Sequence, residues 1–458
     1  MDMKQLQEER KQIFSDFWNN KTPKRLPVSL GTNIQVIVEY SKHNVFETQY
    51  NFARLAEASD EFCKIIYSDT CPVSGGGTPR FPLYNQILDS ECYKMGSTGF
   101  VQHPEVMGMN DDEYPELIKD PYAFILEKVI PRLYKSLSLS DPVTLGKTLV
   151  MSIDARAKDN AEFASLSAPL IDKYGYYPGA PNGSTGGSIA PYDFIADFLR
   201  SFSGISMDIK RKRELLKEAC DAVYPLLFLR GLVSKPHPEG VIGIPLHMPT
   251  FMREKDFVEV YLPSFFRMIR EYAALGIRTR IFCEDDWTRY LDIIQDFPAG
   301  TFIRFEYGDP KTFAEKLGKK FFIGGFYPTT LLTLGTKQQC IDKTKELLDI
   351  MMPIKGYVFG FDKGPLILAD VKLENLNAIG ECLRDYGVFS DPGTPFGGIL
   401  NSEGYTVDVA KSTHYESKYK FNWEDFRKKN PFAPDIAKKR YEELDLKMFN
   451  NYMSLVIG

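Results

Sequence analysis

The sequence predicts an α/β protein built as a (β/α)8 barrel of the TIM type, with long loops over the carboxyl-terminal face of its strands and an appended helical segment at its end. Three observations carry this expectation. Over residues 241–387, five short apolar runs alternate with helical stretches. The runs are apolar throughout rather than at every second position, as parallel strands covered by helices are. No G-x-G-x-x-G or G-x-x-x-x-G-K-[ST] follows any of them. The usual nucleotide signature of an open, doubly wound sheet is therefore missing, and the closed barrel is the better architecture.

The units follow in order. Residues 241–247 (VIGIPLH) read as a strand and 254–275 as a helix. A strand at 279–283 runs into Glu284-Asp285-Asp286, and a helix spans 287–294. Residues 302–307 form the next strand, followed by a short helix that the pair Asp309-Pro310 starts. Strand 320–324 precedes helix 336–351. Strand 356–361 precedes helix 373–386, with Gly387 at its carboxyl end. The first half must supply the remaining strands: 26–31 (LPVSLG), 64–68 (KIIYS), and a third within 142–153 or near Ser188. The Gly- and Pro-rich stretches 72–82 and 176–188 are expected as loops over the active face. The chain thus divides into an amino-terminal helix (1–24), the barrel (25–390) and a carboxyl-terminal extension (391–458), helical over 423–446, packed on the barrel or on a partner subunit in a homodimer.

Composition sets the class. The 458 residues are 43% hydrophobic and 13% aromatic, enough for a deep core and an aromatic pocket. The 56 basic and 61 acidic residues nearly cancel, so no nucleic-acid or membrane footprint is expected; the basic run 210–213 reads as a solvated face. Seven scattered cysteines without a C-x-x-C pair argue for a reducing compartment. No signal peptide or membrane-spanning run is visible, so the expected location is the cytoplasm.

Barrel chemistry sits at the carboxyl ends of the strands. Those ends carry Thr32-Asn33, Asp69, His247, Glu284-Asp285-Asp286, Glu306 and Asp309, Tyr327, and Asp362-Lys363. His247, one of five histidines, suits a general acid, a metal ligand or a hydrogen-bond donor to substrate; the bland reading is a core histidine satisfied by a carbonyl. Of the three consecutive acids, Glu284 lies nearest the strand end and is the expected active-site carboxylate. Asp285 comes second, and Asp286 caps the following helix. Asp69 reads equally as a catalytic acid or a turn former. Glu306 and Asp309 read as structural, and Lys363 as a loop lysine. Tyr192, Met248, Phe251, Met252 and Tyr327 either line an apolar pocket or pack in the core.

Several segments resemble the uroporphyrinogen decarboxylase superfamily. The stretch 324–350 (GGFYPTTLLTLGTKQQCIDKTKELLDI) is similar to its "G-N-V-D-P…L-L…G-T" segment, and 356–387 to its last strand, "P-E-N" turn and closing helix. RLPVSLG at 25–31 and IIYSDT at 65–70 resemble its first two strands, with Asp69 on the active-site aspartate. The resemblance spans most of the chain and is weakest over 75–235. It implies a (β/α)8 barrel and three activities: tetrapyrrole decarboxylation, zinc-dependent methyl transfer to a thiol, and demethylation of aryl methyl ethers onto a corrinoid protein.

Departures from the family discriminate among these. Where decarboxylases carry paired arginines after the first strand, this chain has Thr32-Asn33-Ile34-Gln35, and Asp362-Lys363-Gly364 stands in place of Gly-His-Gly. A polyanionic substrate loses its clamp. The zinc enzymes carry His-x-Cys and a later Cys; here these places read His247-Met248-Pro249 and Asp362-Lys363, so zinc is unsupported and no metal ligand set is assigned. The cobalamin pattern D-x-H-x-x-G is absent, its nearest string being Lys235-Pro-His237-Pro-Glu-Gly240, so the corrinoid is expected on a separate carrier protein.

The resemblance therefore implies methyl transfer from a methoxyarene to Co(I), with His247 as acid or donor, oriented by Glu284 or Asp285. Asp69 is the third catalytic residue. Asn33, Tyr192, Met248, Phe251, Asp285, Tyr327, Asp362 and Lys363 are expected to bind substrate. Alternatives are another methyl donor, a decarboxylase-like enzyme, and a non-catalytic barrel binding an aromatic or a corrinoid.

Overall fold

The computed structural model describes residues 2–48, 50–73, 83–97, 101–138, 141–400 and 402–457. A short antiparallel pair, β1 (Lys94–Met95) and β2 (Val101–Gln102), stands apart from the main sheet. That sheet has six parallel strands: β3 (Gly186–Gly187), β4 (Ile242–Leu246), β5 (Thr279–Asp286), β6 (Phe302–Tyr307), β7 (Phe322–Tyr327) and β8 (Tyr357–Phe361). Spatial order equals sequence order, with no reversal point.

Helices make each crossover from β4 onward. Leu262–Ala274 returns the chain to β5, Pro310–Leu317 to β7 and Lys337–Met351 to β8, while Leu373–Tyr386 follows the last strand. Their starts are chemically marked. Asp309 accepts the Thr312 N–H at 3.0 Å, and Thr336 forms a reciprocal capping box with Gln339. One face of each strand packs under the helices, while burial alternates along β4 and β5, whose other face is the more open one. All six residues of β7 are buried.

The amino-terminal half departs from expectation. Residues 26–31 are extended without forming a strand, because side chains intercept the ladder. Val28 donates its N–H to Asp69 Oδ2 at 2.9 Å and Leu30 donates to Ser68 Oγ at 3.0 Å, leaving Asp69 N–H to Val28 O as the backbone link. Lys64 and Ile65 close a helix, Leu55–Ile65, rather than opening a strand. Of the two places offered for a third strand, 142–153 lies inside the 32-residue helix Pro142–Lys173, whose start Asp141 caps. The strand is β3, just before Ser188. The loop expected at 72–82 lies outside the described residues from 74 onward.

The carboxyl-terminal extension packs on its own chain. Within helix Ile436–Ile457, Phe449 meets Tyr122 and Tyr415, and Leu455 O accepts the Tyr134 hydroxyl at 2.6 Å. No helix among the described residues is long and apolar enough to cross a membrane. All seven cysteines are free and buried.

Candidate active site

Side chains that alternate along a strand share a face. On β4 and the residue after it, Gly243, Pro245 and His247 line one cavity; on β5, Arg280, Phe282 and Glu284 do; on β6, Phe302 and Arg304 do. The cavity has a volume of about 1140 Å³, and the end of the last helix, Val456 and Ile457, reaches its wall.

At its strand-end side lies the main polar cluster. His247 Nε2 stands 2.8 Å from Glu284 Oε2, and Nδ1 stands 3.3 Å from Asp197 Oδ2. The Asp197 hydrogen bond first, then that of Glu284, raises the imidazole pKa from its ordinary value to about 11, against the desolvation that lowers it. At neutral pH the ring is an imidazolium held between two carboxylates.

Local backbone features aim both partners. The β5–β6 register shifts between Cys283 and Asp286, and Asp285 within that bulge has φ +60°, its N–H donated to Glu306 Oε2 at 2.8 Å. A bulge of this kind turns the strand end and re-aims its side chains. Asp197 belongs to a wide-turned helical segment, Ile195–Arg200, that continues Pro191–Phe194. Asp193, one turn earlier and fully buried, accepts the N–H of His247 at 3.2 Å, the N–H of Met248 at 3.1 Å and the Tyr261 hydroxyl at 2.6 Å. Burial, then the nearby Asp197 charge, raises the Asp193 carboxyl pKa.

The residues expected from sequence separate into two groups. His247 and Glu284 meet in the cavity, and Asn33 lines it while capping the helix Ile34–Tyr40. Phe251 is exposed and sits edge-on to the cavity-lining Phe202, with ring centroids 5.1 Å apart.

The others serve elsewhere. Asp69 is a correction: its carboxylate is sealed from solvent by Arg25 at 2.6 Å and Arg10 at 3.1 Å, so it locks the amino-terminal helix to the extended segment 26–31 and does not line the cavity. Tyr192 is buried against Tyr261, and Met248 is a core residue. Tyr327 is fully buried, with its hydroxyl on Cys340 O at 3.2 Å. Asp285 shapes the bulge outside the cavity lining. Asp362 accepts from Thr329 N–H and Oγ1–H at 2.9 and 2.6 Å. Lys363 is exposed, 6.0 Å from the Tyr307 ring centre. Asp362 thus spends one oxygen on backbone and hydroxyl donors, as turn-forming carboxylates do.

Sequence reasoning missed Asp193 and Asp197, although their spacing of four in PYDFIADF puts them on one helical face. It also missed Arg280 and Arg304. The absence of arginine after the first extended segment had counted against an anionic substrate, yet β5 and β6 bring two arginines into the same cavity. The alternation Arg280-x-Phe282-x-Glu284 was the available signal. Among the described residues, no group of three or more His, Cys, Asp or Glu side chains is arranged to hold a metal ion. No protein-family model matches the chain, nor does any curated protein.

Proposed function

We propose that this chain is a cytoplasmic (β/α)8-barrel methyltransferase of the uroporphyrinogen decarboxylase superfamily that takes a methyl group from an aryl methyl ether. The acceptor is the Co(I) corrinoid of a separate carrier protein. A monotonic strand order favours the barrel over a doubly wound sheet, whose order reverses at a switch point. Uniformly free cysteines suit a reducing compartment.

One observation carries the reading of the site: an imidazolium with a pKa near 11 stands at the strand-end side of a large, partly aromatic cavity. A phenolate leaving group has a pKa of about 10, so its departure from the methyl carbon is helped by an imidazolium that can hand over a proton. Asp197 orients the ring through Nδ1. Nε2–H faces Glu284; substrate would displace Glu284 from that proton, and the imidazolium then gives it to the ether oxygen. The corrinoid supplies the nucleophilic Co(I) that accepts the methyl group. This chain positions the ring, donates the proton and offers a half-open His247 with the exposed Phe202–Phe251 pair beside it as an apolar landing for the carrier.

The test is spectrophotometric. Conversion of Co(I) to methyl-Co(III) on a reduced corrinoid carrier is followed with methoxyarenes, methylamines and methylthiols. Methoxyarene-dependent conversion that falls about 10²- to 10⁴-fold in His247→Ala supports the proposal; unchanged turnover in that variant sinks the acid role. A second reading, a decarboxylase of the same superfamily, is favoured by Arg280 and Arg304 alone, and release of CO2 from an aromatic carboxylic acid without any change at cobalt would select it.

A further inference from the structure

We infer that the deep end of the cavity is an anion subsite, and that the ligand carries a carboxylate on a flat apolar body with its charge on Arg280. The inference rests on this cavity being the substrate site, whichever bond is broken there. Arg280 leaves β5 four residues before Glu284, which places it about 13 Å of strand below the His247–Glu284 pair. Its guanidinium lies across β4, where Gly243 leaves it room: a Cβ there would come within 3.3 Å of Nη2.

Arg280 is exposed to the cavity, yet among the described residues no carboxylate pairs with it and no carbonyl accepts from it. Burial lowers its pKa, with no carboxylate contributing. A guanidinium that faces a cavity without a partner keeps its donors available to an anionic ligand.

Neighbouring groups point the same way. Arg304, on the next strand, gives Nη2 to Phe361 O at 2.8 Å and keeps a buried Nε without a partner. Phe282 lies 4.7 Å beneath its guanidinium, and Phe302, level with Arg280 in the sheet register, also lines the cavity, so flat apolar walls stand beside the cations. The acids of the cavity lining, Glu105, Asp197 and Glu284, are all on other segments or at the strand end. The resulting field, basic below and acidic above, admits an anionic ligand head down and leaves its far end at His247. Arginine suits this task because its planar fork holds a carboxylate through two parallel hydrogen bonds.

Titration calorimetry with 4-methoxybenzoate and its uncharged partner 4-methoxybenzamide tests the subsite on the intact protein, without any corrinoid. The wild type should bind the carboxylate, and Arg280→Met should weaken that binding about 10- to 100-fold while changing the amide little. Arg280→Lys should fall between them, since it keeps the charge and loses the fork. Equal affinity of the wild type for both probes, or no binding of either, overturns the subsite even if Arg280→Met fails to fold. Carboxylate binding with the expected Arg280 dependence but no methyl transfer to cobalt would leave the subsite standing and remove the methyltransferase reading.

Discussion

Asp193, fully buried, accepts the main-chain N–H of His247 at 3.2 Å, so the position of the imidazole is set by a carboxylate that touches only its backbone. The same carboxylate takes the Met248 N–H and the Tyr261 hydroxyl. Three donors from two segments converge on one buried acid, and the end of β4 is pinned as a consequence. Asp193→Ala would orphan all three. Each orphaned buried donor costs about 1–3 kcal/mol, partly recovered by relaxation, so denaturant unfolding should show a loss of about 2–4 kcal/mol. Asp193→Asn, which keeps an acceptor, should lose less.

The proton affinity of His247 gives a signed pH dependence. Its folded pKa, about 11, is raised above the unfolded value. The resulting stabilisation is present in full below about pH 6.5, declines as pH rises and is gone above the folded value. Thermal melting of the wild type against His247→Gln should therefore show a gap that narrows between pH 6.5 and 11. A gap that widens over this range contradicts the imidazolium.

Glu284 is one of two carboxylates that raise that pKa, the Asp197 contribution being the larger. Glu284→Gln should lower the His247 pKa towards its ordinary range while leaving the ring charged at pH 6, as measured from its imidazole proton shifts by NMR. Asp197→Asn should lower it further. An unchanged titration in both variants would mean that the two carboxylates do not hold the ring in solution.

Asp69 makes the opposite prediction to that expected of a catalytic acid. Removing one partner of a buried, hydrogen-bonded ion pair costs about 3–5 kcal/mol, and here both Arg25 and Arg10 would lose their carboxylate. Asp69→Ala should unfold at markedly lower denaturant, yet its folded fraction should turn over substrate at a rate within about twofold of the wild type. A large drop in turnover with stability intact would return Asp69 to the active site.

Gly325 tests the β7 backbone. It has φ +101°, and a Cβ would come within 1.9 Å of Phe305 O on the neighbouring strand. Gly325→Ala therefore meets both a disfavoured conformation and a backbone clash. The variant should lose several kcal/mol and accumulate as insoluble protein, whereas Gly364→Ala, with open space around its Cβ, should fold normally.

The alternation of strand and helix over 241–387 was legible in the order of residues, because apolar runs, caps such as Asp309 and helix terminators such as Gly387 act over a few positions of chain. So was the presence of His247 and Glu284 at neighbouring strand ends. The amino-terminal segments were not legible: 26–31 looks like a strand in isolation and fails to become one because Asp69 and Ser68, 38 to 41 positions away, take its N–H groups. Only tertiary structure decided which acids serve His247. Asp197 lies 50 residues from it in sequence and Asp69 far earlier still, and packing brings the first to the ring while closing Arg10 and Arg25 over the second. Charges act through space at a few ångströms, and no local pattern of residues records which of them the folded chain brings within that range.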